Sequence, residues 1–374
     1  MSNLLRSVAL STFMVFVPFY LHQNGYSPVE IFMLFGCFFV VRAVSDIGFA
    51  HVVAKFGPKH TMIASCLLQI ISSALLLSVP TYHWQIAVLA LPWGAAVSSF
   101  FISYHVSFSK VKHASKAGHE LGHMQIYEKL GYLIGPLIGG VVGSLLGAQY
   151  IFLVATLLLF ASLWPLFQTS EPVKTRQKLA YRLLPVGRIK HDIFANICLG
   201  IENTLCINVW AYYVAVFVLS GTVYAQLGAL SAAGVLVAII SAKTVGRLSD
   251  THLARKLLHT SAILNGLLYL VRPYINSIWG VFAVNTANET LTSGYRMPFM
   301  KGMYAAADDL PGLRIVYLSS LQATDSVAKA TVWFFLAILA SVMTLQWVLI
   351  VGFIIAGIAS IGITRERFAV YNEV

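Results

Sequence analysis

The sequence predicts an all-α integral membrane protein, with 12 transmembrane helices in two pseudo-symmetric six-helix bundles. Three observations carry that prediction: the composition, the length of the apolar runs, and the alternation of basic residues between them. Of 374 residues, 58% are hydrophobic and only 10% are charged, and the mean hydropathy is +0.77. A soluble chain would need polar helix faces that these segments mostly lack. Each run is about as long as the ~20 residues that cross a hydrocarbon core.

In chain order the spans fall at roughly 4–22, 29–52, 61–80, 83–108, 124–146, 149–168, 193–218, 224–245, 258–274, 277–297, 315–340 and 345–364. They must be helices, because an open strand edge cannot be satisfied in lipid and a barrel alternates polar with apolar residues. Runs such as Leu153 to Phe160 and Phe334 to Leu345 show no alternation. The first span has one basic residue and no small-residue cleavage site, so it reads as a retained helix and not a signal peptide. Ser27, Pro28 and Glu30 spell a capping box with proline at the first helical position, opening the second span. Cys37, Cys66, Cys198 and Cys206 all fall inside spans, which favours buried thiols over disulfides or a metal site.

The connections divide by charge. One set carries Lys55 and Lys59; Lys110, Lys112 and Lys116; Lys174, Arg176, Lys178, Arg182, Arg188 and Lys190; Arg247, Arg255 and Lys256; Arg296, Lys301 and Arg314; and Arg365 and Arg367. The other set is nearly bare, with Arg272 as its exception. The positive-inside rule makes the first set, and both termini, cytoplasmic. The formal charge of +11 is then explained by topology and anionic lipid head groups, with no nucleic-acid partner. The longest connection, about 168–190, contains Pro172 and Pro185 and separates six spans from six. The expected organisation is a bundle at 1–168, a basic cytoplasmic linker at 169–192, and a second bundle with a short cytoplasmic tail at 193–374. An offset of roughly 196 residues places Gly25 on Gly221, Glu30 on Gln226, Ala54 on Asp250 and Lys59 on Arg255. Internal repeats of this kind mark secondary transporters.

Ionisable residues inside spans are expensive in lipid and must face protein or a wet cavity. They are Arg42 and Asp46 in span two, Glu128 and Lys129 in span five, Glu202 in span seven, Lys243 in span eight, Glu289 in span ten, and Asp325 and Lys329 in span eleven. Spans three, six and twelve lack them and span nine has only His259 near its edge, the pattern of a lipid-facing scaffold around a polar centre. Arg42 with Asp46, and Asp325 with Lys329, are spaced i,i+4 and can pair on one helix face. The favoured role for both is structural pairing; the sharper alternative is partner exchange between two conformations. Glu202 and Glu289 have polar neighbours (Asn203 and Thr204; Asn285, Asn288 and Thr290) and suit a proton carrier or a cation-binding group, or else a structural carboxylate. His105 reads as a packed or cytoplasm-facing histidine. Trp210, Tyr212, Tyr213 and Phe217 read as a cavity wall or as packing. Asn288-Glu289-Thr290 spells a glycosylation sequon, excluded by its depth in the membrane.

The turn between spans two and three runs Ala50, Val52, Ala54, Lys55, Phe56, Gly57, Pro58, Lys59, and its second copy has Gly246, Leu248, Ser249, Asp250, Arg255 and Lys256. Span five carries Gly131, Gly135, Pro136, Gly139 and Gly140 as G-x-x-x-G-P-x-x-G-G. By these motifs the chain resembles the major facilitator superfamily over essentially its whole length. The resemblance implies gating turns at Gly57, Lys59, Gly246, Asp250 and Arg255, with Ala54 replacing the acidic residue of the first. It implies an antiporter-like packing motif in span five, and a central cavity lined by spans one, four, seven and ten that Glu202 and Glu289 would face. The span-four arginine of many proton-coupled antiporters is missing, since the segment reads Ala90, Leu91, Pro92, Trp93, Gly94.

The implied function is secondary transport of a small solute by a monomer in the cell membrane, with protons moving inward as solute leaves. Uniport, proton symport of a nutrient, a sensor that no longer transports, and a membrane-embedded transferase remain alternatives. No phosphate-cradling Gly-x-x-x-x-Gly-Lys-Ser/Thr run and no metal-ligand spacing occur in the sequence, so no cofactor or enzymatic activity is expected.

Overall fold

The computed structural model describes residues 2–111, 117–168, 179–249 and 253–371; within these, the side chains at 108–111, 117–128, 241–244 and 246–249 are not described. The described residues form thirteen α-helices. In chain order these are α1 (Ser2–Met14), α2 (Val17–Gln23), α3 (Pro28–Phe56), α4 (Pro58–Leu77), α5 (Ile86–Val111), α6 (Ala117–Leu145) and α7 (Gln149–Phe167), then α8 (Val186–Tyr213), α9 (Val223–Ser249), α10 (Ala254–Val271), α11 (Ile278–Asp308), α12 (Arg314–Val342) and α13 (Leu345–Gly362). Eight are long and apolar enough to cross a membrane, nine if α1 and α2 count as one span.

The first expected span is two helices that meet at 40°. Pro18 in the first turn of α2 has no N–H to donate and its ring crowds the preceding turn, which breaks the span there. α8 begins at Val186, inside the stretch expected as linker, and continues as a π-helical turn, Val214–Val218. α11 runs past Pro298 to Asp308, about three turns beyond its expected end. The capping box forms: Ser27 accepts from the Glu30 N–H, and the Glu30 carboxylate accepts from the Ser27 N–H at 2.8 Å. All four cysteines are free thiols.

Packing repeats along the chain. In the first half α1 packs on α6 and α7, α3 on α5, and α4 on α5 and α7. In the second half α8 packs on α12 and α13, α9 on α11, and α10 on α11 and α13. With α1 and α2 taken as one span, each pairing in the first set recurs six spans later. Individual bonds join the corresponding parts of the two halves within about a turn. Tyr20 donates from its hydroxyl to the Leu76 carbonyl at 2.8 Å, and Tyr213 does so to Pro273 at 3.0 Å. Cys66 meets Ser162 at 3.8 Å, and Ser360 donates to the Ala262 carbonyl at 2.8 Å. Gly25 and Gly221 both take positive φ, 86° and 73°, at the turns that follow α2 and the π-helical turn. The halves meet along α3 with α12 and α6 with α9.

The helices expected as scaffold present large apolar side chains outward: Leu67 and Ile71 on α4, Leu157 and Trp164 on α7, Leu267 and Leu270 on α10, Trp347 and Ile358 on α13. The inner face of α4 is polar, with Thr61, Ser65, Gln69, Ser72 and Ser73 all buried. It is therefore amphipathic, and the lack of charge beyond its first turn concealed a polar interior face.

Candidate functional site

The two i,i+4 pairs form, and they belong to one cluster between the halves. Asp46 on α3 is fully buried and 3.9 Å from Arg42 Nε. Its carboxylate accepts from Ser98 Oγ on α5 at 2.7 Å and from Ser326 Oγ on α12 at 3.0 Å. Arg42 donates to the Gln322 amide oxygen, also on α12, and lies 5.4 Å from the Phe101 ring. Lys329 donates to Asp325 at 2.6 Å with its Nζ 5.3 Å from the Phe39 ring. Gly200 on α8 makes room for this pair, since a Cβ there would overlap Asp325 Oδ1. Asp325 Oδ1 itself has no hydrogen-bond partner. Four helices, α3, α5, α8 and α12, thus converge on two carboxylates, each already next to a cation, which is how ionised groups are tolerated in lipid.

Glu202 has a different setting. The resemblance implied that it shares a central opening with Glu289, but it turns toward α10. It accepts from the Tyr269 hydroxyl at 2.7 Å and from Asn265 Nδ2 at 3.0 Å, with Tyr295 of α11 beside them. The guanidinium of Arg272 is buried nearby. It donates to Asn288 Oδ1 at 2.7 Å and lies 3.9 Å from the Tyr269 ring and 4.9 Å from the Trp210 ring. Glu289 faces the other half: its carboxylate is 3.9 Å from Lys129 Nζ on α6, partly open to solvent, and Lys129 also reaches Ser293 at 3.4 Å. His105 packs across the halves on the Tyr304 hydroxyl at 2.7 Å. Trp210 stacks on Tyr213, donates to Asn285 at 2.7 Å, and packs on Phe353. Tyr212 contacts His22 at 2.9 Å and Tyr224 donates to Gln23 at 2.7 Å, so the halves also touch at the opposite end of the spans.

The turn residue Gly57 closes α3 and opens α4 with φ 90°, and Pro58 follows it as the first helical residue. Arg255 is bound by the tail: its Nε donates to Glu366 at 3.1 Å, and His259 Nε2 lies 3.1 Å from the same oxygen. Burial opposes ionisation of Glu366, but His259, the Phe368 N–H and Arg255 together hold its carboxyl below the ordinary range. The side chains of Glu128 and Lys243, the surroundings of Gly246, and the whole of Asp250 lie outside the described residues; Lys59 has contacts of its own.

The glycines of α6 serve two contacts. A Cβ at Gly131, Gly135 or Gly139 would overlap Ser7, Ser11 or Thr12 of α1. Gly140 faces α9, where its Cβ would lie 2.8 Å from the Tyr224 carbonyl, and Gly228 opposite would overlap the Pro136 carbonyl. Ser11 seals the first contact by donating to the Gly131 carbonyl at 2.7 Å. The motif lets α6 approach a partner in each half, as small-residue stripes do in lipid.

Sequence reasoning missed Ser98, Gln322, Ser326, Asn265, Tyr269 and Glu366, and it left Arg272 as a loop exception. Only Arg272 carried a signal, because a basic residue on the bare side of the membrane calls for a buried partner.

Comparison with known proteins adds the following. Residues 1–226 match the family described as Major Facilitator Superfamily. A POT family transporter in complex with 5-aminolevulinic acid superposes with a TM-score of 0.72 at 13% identity, covering 97% of this chain and 93% of the other. The E. coli fucose:proton symporter FucP superposes with a TM-score of 0.65 at 13% identity, covering 98% and 97%. FucP in the outward conformation gives 0.64 at 12% identity, covering 98% and 97%. No curated protein sequence matches the chain.

Proposed function

This chain belongs to the Major Facilitator Superfamily, and from that premise we propose that it exports a small solute by alternating access, driven by protons moving inward. In this reading its 12 spans form two six-helix bundles, 1–168 and 193–374, joined by the cytoplasmic linker 169–192. Both termini are cytoplasmic and the protein works as a monomer in the cell membrane. The observation that supports the reading most is the buried cluster of Arg42, Asp46, Asp325 and Lys329, whose bonds to Gln322 and Ser326 cross from one half to the other. Rocking of the halves must break those bonds and leave each cation with the carboxylate on its own helix, so neither charge is stranded in lipid. Glu202 is the proposed proton carrier, because it is a buried carboxylate held by Tyr269 and Asn265 with Arg272 nearby, the kind of intramembrane group that serves in proton relays; in this reading the rocking of the halves opens it to one side at a time. The Gly131–Gly140 stripe supports antiport through its resemblance.

Proton symport of a nutrient is the second reading. It is favoured by the missing span-four arginine and by likeness to a fucose:proton symporter. Protein reconstituted in liposomes under an imposed pH gradient separates the two. Antiport moves solute against the proton flux and symport moves it with the flux. Glu202→Gln is expected to abolish gradient-driven accumulation while solute exchange persists; unchanged pH dependence rejects Glu202 as the carrier. A folded preparation with no counterflow for any of a broad solute panel rejects transport.

A further inference from the structure

The end of the long linker belongs to one half by its backbone and touches the other with its side chains. Residues 180–186 lead into α8 through successive backbone bonds. The Leu183 N–H donates to the Ala180 carbonyl at 3.1 Å, Leu184 to Tyr181 at 3.2 Å and Val186 to Leu184 at 2.8 Å. A single 3-10 turn, Tyr181–Leu183, and Pro185 at the cap of α8 leave this stretch little freedom. Leu184 packs against an apolar cluster drawn only from the second half, with Ile189, Leu258, Tyr317 and Phe368 among its members. The segment therefore moves with α8.

Leu179, five residues before Leu184, packs against a different cluster: Ala50, Val53 and Ala54 of α3, Ile102 and Val106 of α5, and Ile315 of α12. All but Ile315 belong to the first half. Tyr181 stands between the two. Its hydroxyl lies 3.0 Å from Ser319 Oγ on α12, and its ring centroid lies 6.1 Å from that of His51 on α3. Burial and the nearby Asp46 carboxylate both oppose ionisation of that hydroxyl, against the Ser319 bond, so it stays neutral. The chain thus starts from the second half, crosses α12 and ends on an apolar surface of the first half.

That surface includes Ala54, the residue that replaces the acidic member of the first gating turn. Ala54 is buried in the cluster, where a carboxylate would lie unpaired against apolar neighbours. An alanine here and a leucine in the linker are two sides of one contact. We propose that segment 179–181 is a latch: it rides on the second half, presses on the first, and holds the cytoplasmic mouth of the seam shut. The inference rests on the alternating-access reading and the orientation given above. Opening that mouth must pull Leu179 off α3 and α5 and part Tyr181 from His51, while Leu184 and the Ser319 contact stay in place.

The test uses the full chain with Cys37, Cys66, Cys198 and Cys206 changed to serine and Ala50→Cys as reporter. Ala50 is fully buried in the cluster, so a membrane-impermeant thiol reagent added on the cytoplasmic side labels it only when the seam opens. Leu179→Ser and Tyr181→Ala are each expected to speed labelling at least about tenfold, the factor that loss of a part-buried leucine or aromatic contact gives. Equal rates in all three proteins overturn the proposal. A second measurement joins His51→Cys to Tyr181→Cys with a short reversible cross-linker, in the same background without the reporter. Counterflow in liposomes is expected to stop when the link forms and to return when it is cleaved; counterflow at the unlinked rate through fully linked protein overturns the latch. If the labelling variants do not fold, this cross-link decides. If unlinked protein shows no counterflow for any solute, the transport reading fails, and the labelling rates decide whether the segment holds the seam shut.

Discussion

Asp46 shows how one buried side chain can report on motion. Ser98, in its own half, and Ser326, in the other, donate to different oxygens of one carboxylate. Only the second bond must break when the halves separate. Ser326→Ala should therefore weaken this conformation alone and change the exchange rate by about tenfold or more in a counterflow assay, from the loss of a bond of about 1.5–3 kcal/mol. Ser98→Ala should lower thermal stability by a similar amount and leave the rate closer to the unaltered value. Glu366 gives a pH-dependent case. Its carboxyl titrates below the ordinary range, so its contribution is fully present above the unfolded-state pKa and is lost as pH falls through the lowered folded value. Glu366→Gln is expected to cost about 2 kcal/mol at neutral pH, and the difference in Tm should vanish in acid. The pairs Arg42–Asp46 and Asp325–Lys329 were legible because i,i+4 spacing fixes proximity on a helix. Ser326 and Gln322 were not, because they lie on another helix about 280 residues along the chain and carry no charge to mark them.

Helices were legible in proportion to how much of them the lipid dictates. α7 and α13 are apolar nearly throughout and their ends fall where hydropathy predicts. α1 and α2 were read as one because a break at Pro18 does not interrupt an apolar run. α4 was read as scaffold because serine and glutamine carry no charge, although its buried face is where they gather. The glycine stripe of α6 was recognisable as a motif, but the sequence could not say that one edge meets α1 and the other α9. That division makes a prediction. Gly139→Leu would drive a side chain into the Thr12 carbonyl and should destabilise the protein by at least 1–3 kcal/mol, read as lowered Tm. Gly147→Ala has no tight neighbour to displace, and only its positive φ, 115°, to strain; it should cost about 1 kcal/mol.

The whole molecule is two copies of one arrangement, with charges redistributed between them. The packing order of α1 to α7 recurs in α8 to α13, and bonds such as Tyr20 to Leu76 and Tyr213 to Pro273 join corresponding parts of the two halves within about a turn. Yet Arg6 stands opposite Glu202 in the repeat, and Lys129 falls within a turn of the Asp325 position. The all-helical, membrane-spanning character was legible because lipid imposes it; the reversal was not, since no pairwise pattern announces it. The central claim is that the halves separate and close around a solute. Residues Ala50 and Ile315 pack in one apolar cluster where α3 meets α12, so cysteines at both positions, joined by a short reversible cross-linker, tie the halves together. Solute counterflow in liposomes should stop when the link forms and return when a reductant cleaves it. Counterflow that continues at the unlinked rate through fully cross-linked protein would contradict the account.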